Sequence, residues 1–571
     1  MNEKRVFFVS IFLVIGFTVV IFRLIQLQTT DRKILEDLIK RQYIKEKEII
    51  LPRGTIYDSN GKILAISIPK MTVFAIPKYI KNKEKVAEEL SKVLKISKEA
   101  ILKKLNTQKN YTVISNNIDS SLKEKIENIR RKLKEWNIGI TENPKRFYPF
   151  KDLAGSTIGF VNKFTGKGAG GLEYKYNDIL GGGVKKVRYI VDATGKPLYV
   201  IDDKKELSKS KDIKLSIDSN IQYIVEEVLD KYVKLRKPKG ALILIVDVKT
   251  GDIVANATYP NYDPNRYWKF KTRKNITFQN AYEVGSLAKP FVLAEAIESR
   301  NIDLDKKYFC EWGRIVIDGV KIKDHTPFGE LSVKDIIVHS SNIGIIKIAL
   351  EEDPKKLYDI FFKLGFGKST KTFPGEASGK LKREYQPVNV AYLSIGQSWI
   401  ATPIQVAMAY TTIANGGLLL KPRILKEIVD KKDGEIEKTK SVIIRRVFKK
   451  ETTDILKKVL IEVVERGTAK RGKSKYYTIA GKTGTAQKYD PKLKKLSDEK
   501  YYTWFAGFFP AKNPRYTIVI LFDEPKKIDE KEKIGGGTVS APVLRDIVDR
   551  IMFYKKIKPD KIKIENKSLG D

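Results

Sequence analysis

A chain of 571 residues exceeds what one hydrophobic core organises, so two or three domains with appendages are expected. Its 42% hydrophobic content and scattered Gly and Pro exclude wholesale disorder. The single cysteine, Cys310, excludes an internal disulfide, and with only His325 and His339 to help it no metal centre is expected; both histidines are read as structural.

The formal net charge of +40 admits nucleic acid, an acidic membrane surface or an anionic polymer as partner. No nucleic-acid motif accompanies it, so nucleic acid is not expected. Acids are interleaved with the bases in stretches such as Lys123 to Lys134, which read as solvated helical faces. Abundant Lys and Glu with few Cys, Met and His resemble the composition of heat-adapted proteins.

The first element runs from Val6 to Phe22, 17 residues without a charge, and Leu24 to Leu27 extend it to the length of a bilayer-spanning helix. Lys4 and Arg5 precede it. Leu24-Ile25-Gln26-Leu27-Gln28 offers no small-residue cleavage site, so an uncleaved anchor is expected rather than a signal peptide. Arg32, Lys33, Lys40 and Arg41 follow, so the local charge count does not orient the span. Asp31 to Lys45 reads as a charged helical stalk.

From about Ile49 to Ile213 strands and loops predominate. Asp58-Ser59-Asn60-Gly61-Lys62 between two apolar runs is a hairpin signal. Lysine-rich helices are expected near 83–106 and 121–135, and glycines at 166–171 and 181–183 mark loops. A second unit opens at Asp218-Ser219-Asn220, good N-cap residues, followed by Ile221, Ile224, Val225, Val228, Leu229 and Tyr232 on one helical stripe. Ala241 to Val248 and Ile253 to Tyr259 read as a hairpin, as do Tyr502 to Phe509 and Tyr516 to Phe522. A last helix starts at Ala541-Pro542. Helices are expected to fill the middle, about 286 to 465. Strands at both ends of a helical centre imply one antiparallel sheet with helices on its faces, an α+β or α/β sandwich. The Lys-rich tail from about 555 is expected to be loose.

Three short motifs in this second unit carry chemistry. In Ser286-Leu287-Ala288-Lys289, Pro290 favours a helix start near Ser286, which sets Lys289 three residues on along the same face. A serine hydroxyl needs a base, and a lysine serves only when neutral, through burial or a second cation. In Ser340-Ser341-Asn342, a polar break between apolar runs, Ser340 suits proton transfer and the Asn342 amide suits holding Lys289 and a substrate carbonyl. In Lys482-Thr483-Gly484-Thr485, on an expected strand, Lys482 and Gly484 face one way and the threonines the other. Gly484 leaves room for another chain to approach, Lys482 is the second cation, and Thr483 and Thr485 suit a terminal carboxylate. Each motif alone is commonplace in a lysine-rich chain.

Together, in this order over about 200 residues, they resemble the signature set of penicillin-binding proteins and serine β-lactamases. Tyr282 to Pro290, Val338 to Gly344 and Ile479 to Gln487 resemble the family well beyond the triplets. Thr402-Pro403-Ile404-Gln405 and Ala414-Asn415-Gly416-Gly417 resemble its class B transpeptidases. Upstream, Arg53 to Gly61, Arg146-Phe147-Tyr148-Pro149 and Gly170-Gly171-Leu172-Glu173 resemble that class's non-catalytic pedestal.

The resemblance implies a β-lactamase-like transpeptidase domain, with an antiparallel sheet and a helical subdomain, behind an extended mixed α/β pedestal and one transmembrane helix. The division is then 1–5 cytoplasmic, 6–27 anchor, 28–48 stalk, 49–215 pedestal (dimerisation-like), 216–555 transpeptidase and 556–571 tail. It implies a cofactor-free peptidoglycan D,D-transpeptidase that cross-links stem peptides through a Ser286 acyl-enzyme and releases D-alanine. Lys289, Ser340, Asn342 and Lys482 would be catalytic, and Thr483, Gly484 and Thr485 substrate-binding. Backbone N–H groups of Ser286 and Thr485 would form the oxyanion hole, and β-lactams would acylate Ser286. The body then lies outside the cytoplasmic membrane, where the substrate is.

The run Val187 to Leu198 resembles the division-type pedestal, which implies a membrane-embedded glycosyltransferase and other divisome proteins as partners; an elongation role is the alternative. A class A β-lactamase is disfavoured because no Glu-x-x-x-Asn lies between Asn342 and Lys482. A sensor is disfavoured by the absence of His-Glu-x-x-His, a silent scaffold by the intact motifs, and a bifunctional synthase by a pedestal where a glycosyltransferase domain would stand.

Overall fold

The computed structural model describes residues 3–561 except 35–36, 38–42, 108, 110, 192–196, 201–209, 432 and 491–494. Parts of the expected stalk, the centre of the 187–198 run and the tail beyond 561 therefore lie outside the described residues.

The N-terminal apolar run forms helix Glu3–Gln28, with none of its 26 residues buried against the protein. At about 1.5 Å per residue it is roughly 39 Å long, enough to cross a bilayer. Beyond it, residues 32–34, 37 and 43 of the expected stalk are helical, and its last two residues open strand Ile44–Leu51. It pairs antiparallel with Gly183–Val191, and Glu46 meets Lys186 at 3.5 Å. This ion pair runs diagonally across the two strands, since Glu46 stands opposite Arg188 in the register.

In the pedestal, Ile56–Tyr57 and Ile63–Ala75 form the expected hairpin, with Gly61 at φ +86°. Helices Lys83–Leu94, Lys98–Leu105 and Lys123–Lys132 bury Val86, Leu90, Ile101, Ile126 and Ile129 against the sheet beneath. The three pedestal motifs converge on one buried ion cluster. Glu173, fully buried, accepts from Arg53 Nε at 3.0 Å and Arg146 Nε at 2.6 Å. Arg53 also donates to Asn177 at 2.9 Å and Arg146 to Gly54 O at 2.7 Å.

Pedestal and second unit are not separate sheets. A seven-stranded sheet runs from Ile436–Lys438 and Leu425–Val429 through Asp212–Leu215 to the pedestal hairpin. The expected boundary at 215 is therefore crossed by strand pairing between Leu425–Val429 and Asp212–Leu215.

The second unit is built on five antiparallel strands in the order Ile253–Tyr259, Gly240–Asp247, Tyr516–Asp523, Lys495–Phe509, Ala480–Asp490. Gly240–Asp247 and Tyr516–Asp523 are buried at every residue, because helices cover the sheet. Helix Ser219–Arg236, capped by Asp218, packs with the sheet and with Ala541–Tyr554, while the wholly buried Pro403–Ala414 packs on the sheet with Lys450–Glu465. The middle is less uniformly helical than expected. A short hairpin, Arg314–Ile317 with Val320–Lys323, and a strand pair, Leu418–Leu420 with Ile443–Arg446, interrupt it. The start of the tail is not loose: Lys555 meets Asp218 at 2.7 Å, and Lys561 donates to Ser474 O at 3.0 Å.

Candidate active site

The serine stands where a short strand turns into a helix. Tyr282–Glu283 pairs with Ile400–Ala401, residues Gly285–Ala288 form a tight turn, and helix Lys289–Arg300 follows with Pro290 in its first turn. Trp504 Nε1 donates to Glu283 O at 3.0 Å, and Tyr410 Oη donates to Leu287 O at 3.1 Å, so buried aromatics of the core pin both ends of the turn. Gly285 N donates to Gly396 O at 3.0 Å. A Cβ on Gly396, at φ +73°, would stand 2.0 Å from Gly285 O, so only glycine permits this approach. Ser286 is half-buried while Gly285, Leu287, Ala288 and Lys289 are buried, which leaves the serine the accessible residue of the turn.

Strand Ala480–Asp490 is the edge of the five-stranded sheet and lies against the serine turn. A Cβ on Gly285 would be 3.0 Å from Thr485 O. Expected to make room for an incoming chain, Gly484 makes room for the protein itself: a Cβ there would meet Val284 O at 2.8 Å. Thr483 Oγ1 lies 2.7 Å from Thr468 Oγ1, and Thr485 Oγ1 accepts from Gly536 N at 3.0 Å.

Ser340-Ser341-Asn342 forms the corner between helices Val333–His339 and Asn342–Leu350. Ser340 takes the left-handed conformation, φ +64°. This turns its carbonyl and hydroxyl toward the fully buried Lys289. Lys289 Nζ donates to Ser340 O at 2.6 Å, Ser340 Oγ at 3.2 Å and Asn342 Oδ1 at 2.8 Å. Ser341 caps the second helix, accepting from Gly344 N at 3.0 Å.

Electrostatics follow from burial. Desolvation pulls the Lys289 amine down to about 7, with the Asp324 carboxylate opposing. Lys482, also fully buried, is held well below its ordinary range by burial first and by Lys289 second. Burial and a second cation were the two expected routes to a neutral lysine, with Lys482 as that cation. Burial is what lowers Lys289, and the Lys289 charge in turn lowers Lys482.

The fold thus brings Lys289, Ser340 and Asn342 into direct contact, Lys482 into their field, and the Ser286 turn against Thr485. Two further groups, Asp324 and His325, stand at this site without belonging to the three motifs. Asp324 accepts from Ser341 Oγ at 2.7 Å and from the backbone N–H of Asn342. His325, expected to be structural, is lowered by desolvation and then by Lys289 and Lys482, with Asp324 opposing, which places it beside the same cluster. Neither belongs to a local motif; they follow the 314–323 hairpin, and only tertiary packing brings them here.

A serine turn and two buried lysines beside an antiparallel sheet, joined to a pedestal behind an apolar helix, make up the arrangement that the resemblance to class B penicillin-binding proteins implied. The chain belongs to the penicillin-binding protein transpeptidase family: residues 241–549 match the penicillin binding protein transpeptidase domain, and residues 48–215 the penicillin-binding protein dimerisation domain.

Among its relatives, the probable peptidoglycan D,D-transpeptidase PenA of Neisseria gonorrhoeae is 30% identical over 98% of this chain and 94% of its own length. Peptidoglycan D,D-transpeptidase FtsI of Buchnera aphidicola is 32% identical over 89% of this chain and 88% of its own. The stage V sporulation protein D of Bacillus subtilis is 30% identical over 99% and 88%. In fold, the chain is similar to crystalline penicillin-binding protein 2X from Streptococcus thermophilus, with TM-score 0.78 and 24% identity over 89% of this chain and 80% of that one.

Proposed function

We propose that this chain is a peptidoglycan D,D-transpeptidase working through a Ser286 acyl-enzyme. One observation carries the reading: a fully buried lysine amine near neutrality, held by three neutral oxygens, one helical turn from an accessible serine. Neutral Lys289 takes the Ser286 hydroxyl proton while Oγ bonds to the penultimate D-alanyl carbonyl carbon. The tetrahedral oxyanion faces the N–H groups of Ser286 and Thr485. Its collapse breaks the peptide bond, and D-alanine leaves with the proton returned through Ser340. An amine of a second stem peptide then attacks the ester, and Ser286 regains its hydroxyl as the cross-link forms. Thr483, Gly484 and Thr485, on the sheet's free edge, would pair with the donor stem by strand addition. No cofactor enters these steps.

β-Lactams would acylate the same oxygen. Fluorescent penicillin should label the full chain, and Ser286→Ala should abolish labelling while the protein stays folded; stoichiometric labelling of that variant rejects the nucleophile. Helix Glu3–Gln28 would anchor the protein in the cytoplasmic membrane, with the body outside. Protease added to intact spheroplasts should degrade that body.

The division-type resemblance of 187–198 supports a septal role, with a membrane-embedded glycosyltransferase and other divisome proteins met through anchor and pedestal. A fluorescent fusion should concentrate at the septum; distribution along the side wall would favour elongation.

A further inference from the structure

The contacts of Asp324 exceed what a loop carboxylate needs. One oxygen accepts from Ser341 Oγ at 2.7 Å, and the other accepts from Asn342 N and, at 3.4 Å, Ile343 N. Those N–H groups open helix Asn342–Leu350, where a carboxylate is favoured by the helix dipole. The neighbouring Lys323 carbonyl accepts from Asn342 Nδ2 at 2.8 Å, which turns the amide so that its oxygen faces Lys289.

Asp324 is itself held. Its N–H donates to Gly313 O at 3.0 Å, and Gly313 ends a turn in which Glu311 and Trp312 also take positive φ. Left-handed backbone at two successive non-glycine residues costs free energy and persists where the surroundings impose it. The result is a chain of fixed contacts from a strained turn, through one carboxylate, to the groups that hold the lysine.

We propose that Asp324 is a positioning residue of the active site: by bracing Ser341 and the start of the following helix, it sets where Ser340 and Asn342 present their oxygens to the Lys289 amine. The inference rests on the reading that Ser286 is acylated with Lys289 as base. It gives Asp324 a second consequence, because its negative charge favours the protonated amine while burial disfavours it. The other groups facing Lys289 are Lys482 from the edge strand, His325 beside Asp324, and the neutral Ser340 and Asn342. Among the described residues, Asp324 is the one negative group that acts on the Lys289 amine.

The test is the rate of acylation of the detergent-solubilised full chain by fluorescent penicillin, from pH 5 to 9, for native protein, Asp324→Asn, Asp324→Glu and Ser286→Ala. The Asn variant should be slower by roughly tenfold or more, since the lysine is misplaced. Its acid-limb midpoint should also move down by about half a pH unit or more, because the carboxylate no longer favours the ammonium. The Glu variant retains the charge in a displaced position, so it should lose rate with its midpoint near native. A rate loss in Asp324→Asn with an unmoved midpoint reduces the residue to a structural brace and overturns the proposal. Native rate and midpoint in Asp324→Asn overturn it too. Should Asp324→Asn fail to fold, a Glu variant at the native rate overturns it. Labelling of Ser286→Ala would instead reject the acyl-enzyme reading beneath it.

Discussion

The carboxylate of Asp58, in the pedestal's first hairpin, accepts from both Ser219 Oγ at 2.6 Å and Ser219 N at 3.2 Å. Ser219 is the first residue of the helix that opens the transpeptidase unit. The other Asp58 oxygen closes the hairpin turn by accepting from Asn60 N at 2.8 Å and Lys62 N at 2.7 Å. One fully buried side chain therefore shapes a turn and joins two units. Asp58→Ala should leave several buried donors unsatisfied and cost about 2–3 kcal/mol, loosening the junction. Limited proteolysis should show faster cleavage there, and unchanged cleavage would contradict the assignment.

Within the pedestal, the ion cluster makes a sharper prediction. Glu173→Ala strands two arginine charges in the interior, a loss of about 3–5 kcal/mol. The pedestal should unfold at lower denaturant than the transpeptidase unit, resolved as a separate early transition. A single unshifted transition would show that Arg53 and Arg146 find other partners.

Lys289 should impose a pH dependence on both activity and stability. Acylation by penicillin should rise with pH through about 7, as the amine loses its proton. For stability the sign follows from the same shift. Between about 7 and its ordinary 10.5 the unfolded chain keeps a proton that the folded one has released. Raising pH therefore favours the fold, by at most about 1.4 kcal/mol per unit. Below about 7 both states carry the proton, and burial of the charge costs the fold its full penalty. Chemical denaturation at pH 7 and 9 should show this gain, reduced in Lys289→Met.

The same substitution should cut acylation by roughly 10²–10⁴-fold, the ordinary range for loss of a general base. Stopped-flow acylation kinetics would measure it, and a loss under threefold would mean that another group takes the Ser286 proton.

Gly396 offers a test of the backbone rather than the side chains. With φ at +73° and Gly285 O only 2.0 Å from where a Cβ would stand, Gly396→Ala must displace the serine turn. It should cost about 3 kcal/mol and abolish labelling near neutral pH. Normal labelling would show that the turn tolerates the shift.

Local chemistry made much of this protein legible. The apolar helix, the Asp58–Lys62 hairpin, the Asp218 cap and the strand pairs around Lys249 and Pro510 rest on periodicity and turn residues, which act over a few positions. Ser286 and Lys289 share one turn, so their proximity follows from helix geometry. What a short window cannot contain is which partner a charge will find. Strand Ile44–Leu51 is such a case: its alternating charges suit a helix face or a strand edge equally, and only the Gly183–Val191 strand settles which.

By itself, then, the order of residues determined the units, their elements and the three motifs, since these depend on neighbours in the chain. Tertiary structure alone decided that burial lowers the Lys289 amine; that Gly484 makes way for Val284; and that Asp324 and His325 join the site. Desolvation and close approach depend on atoms tens to hundreds of residues apart in the chain, and those distances exist only once the chain has folded.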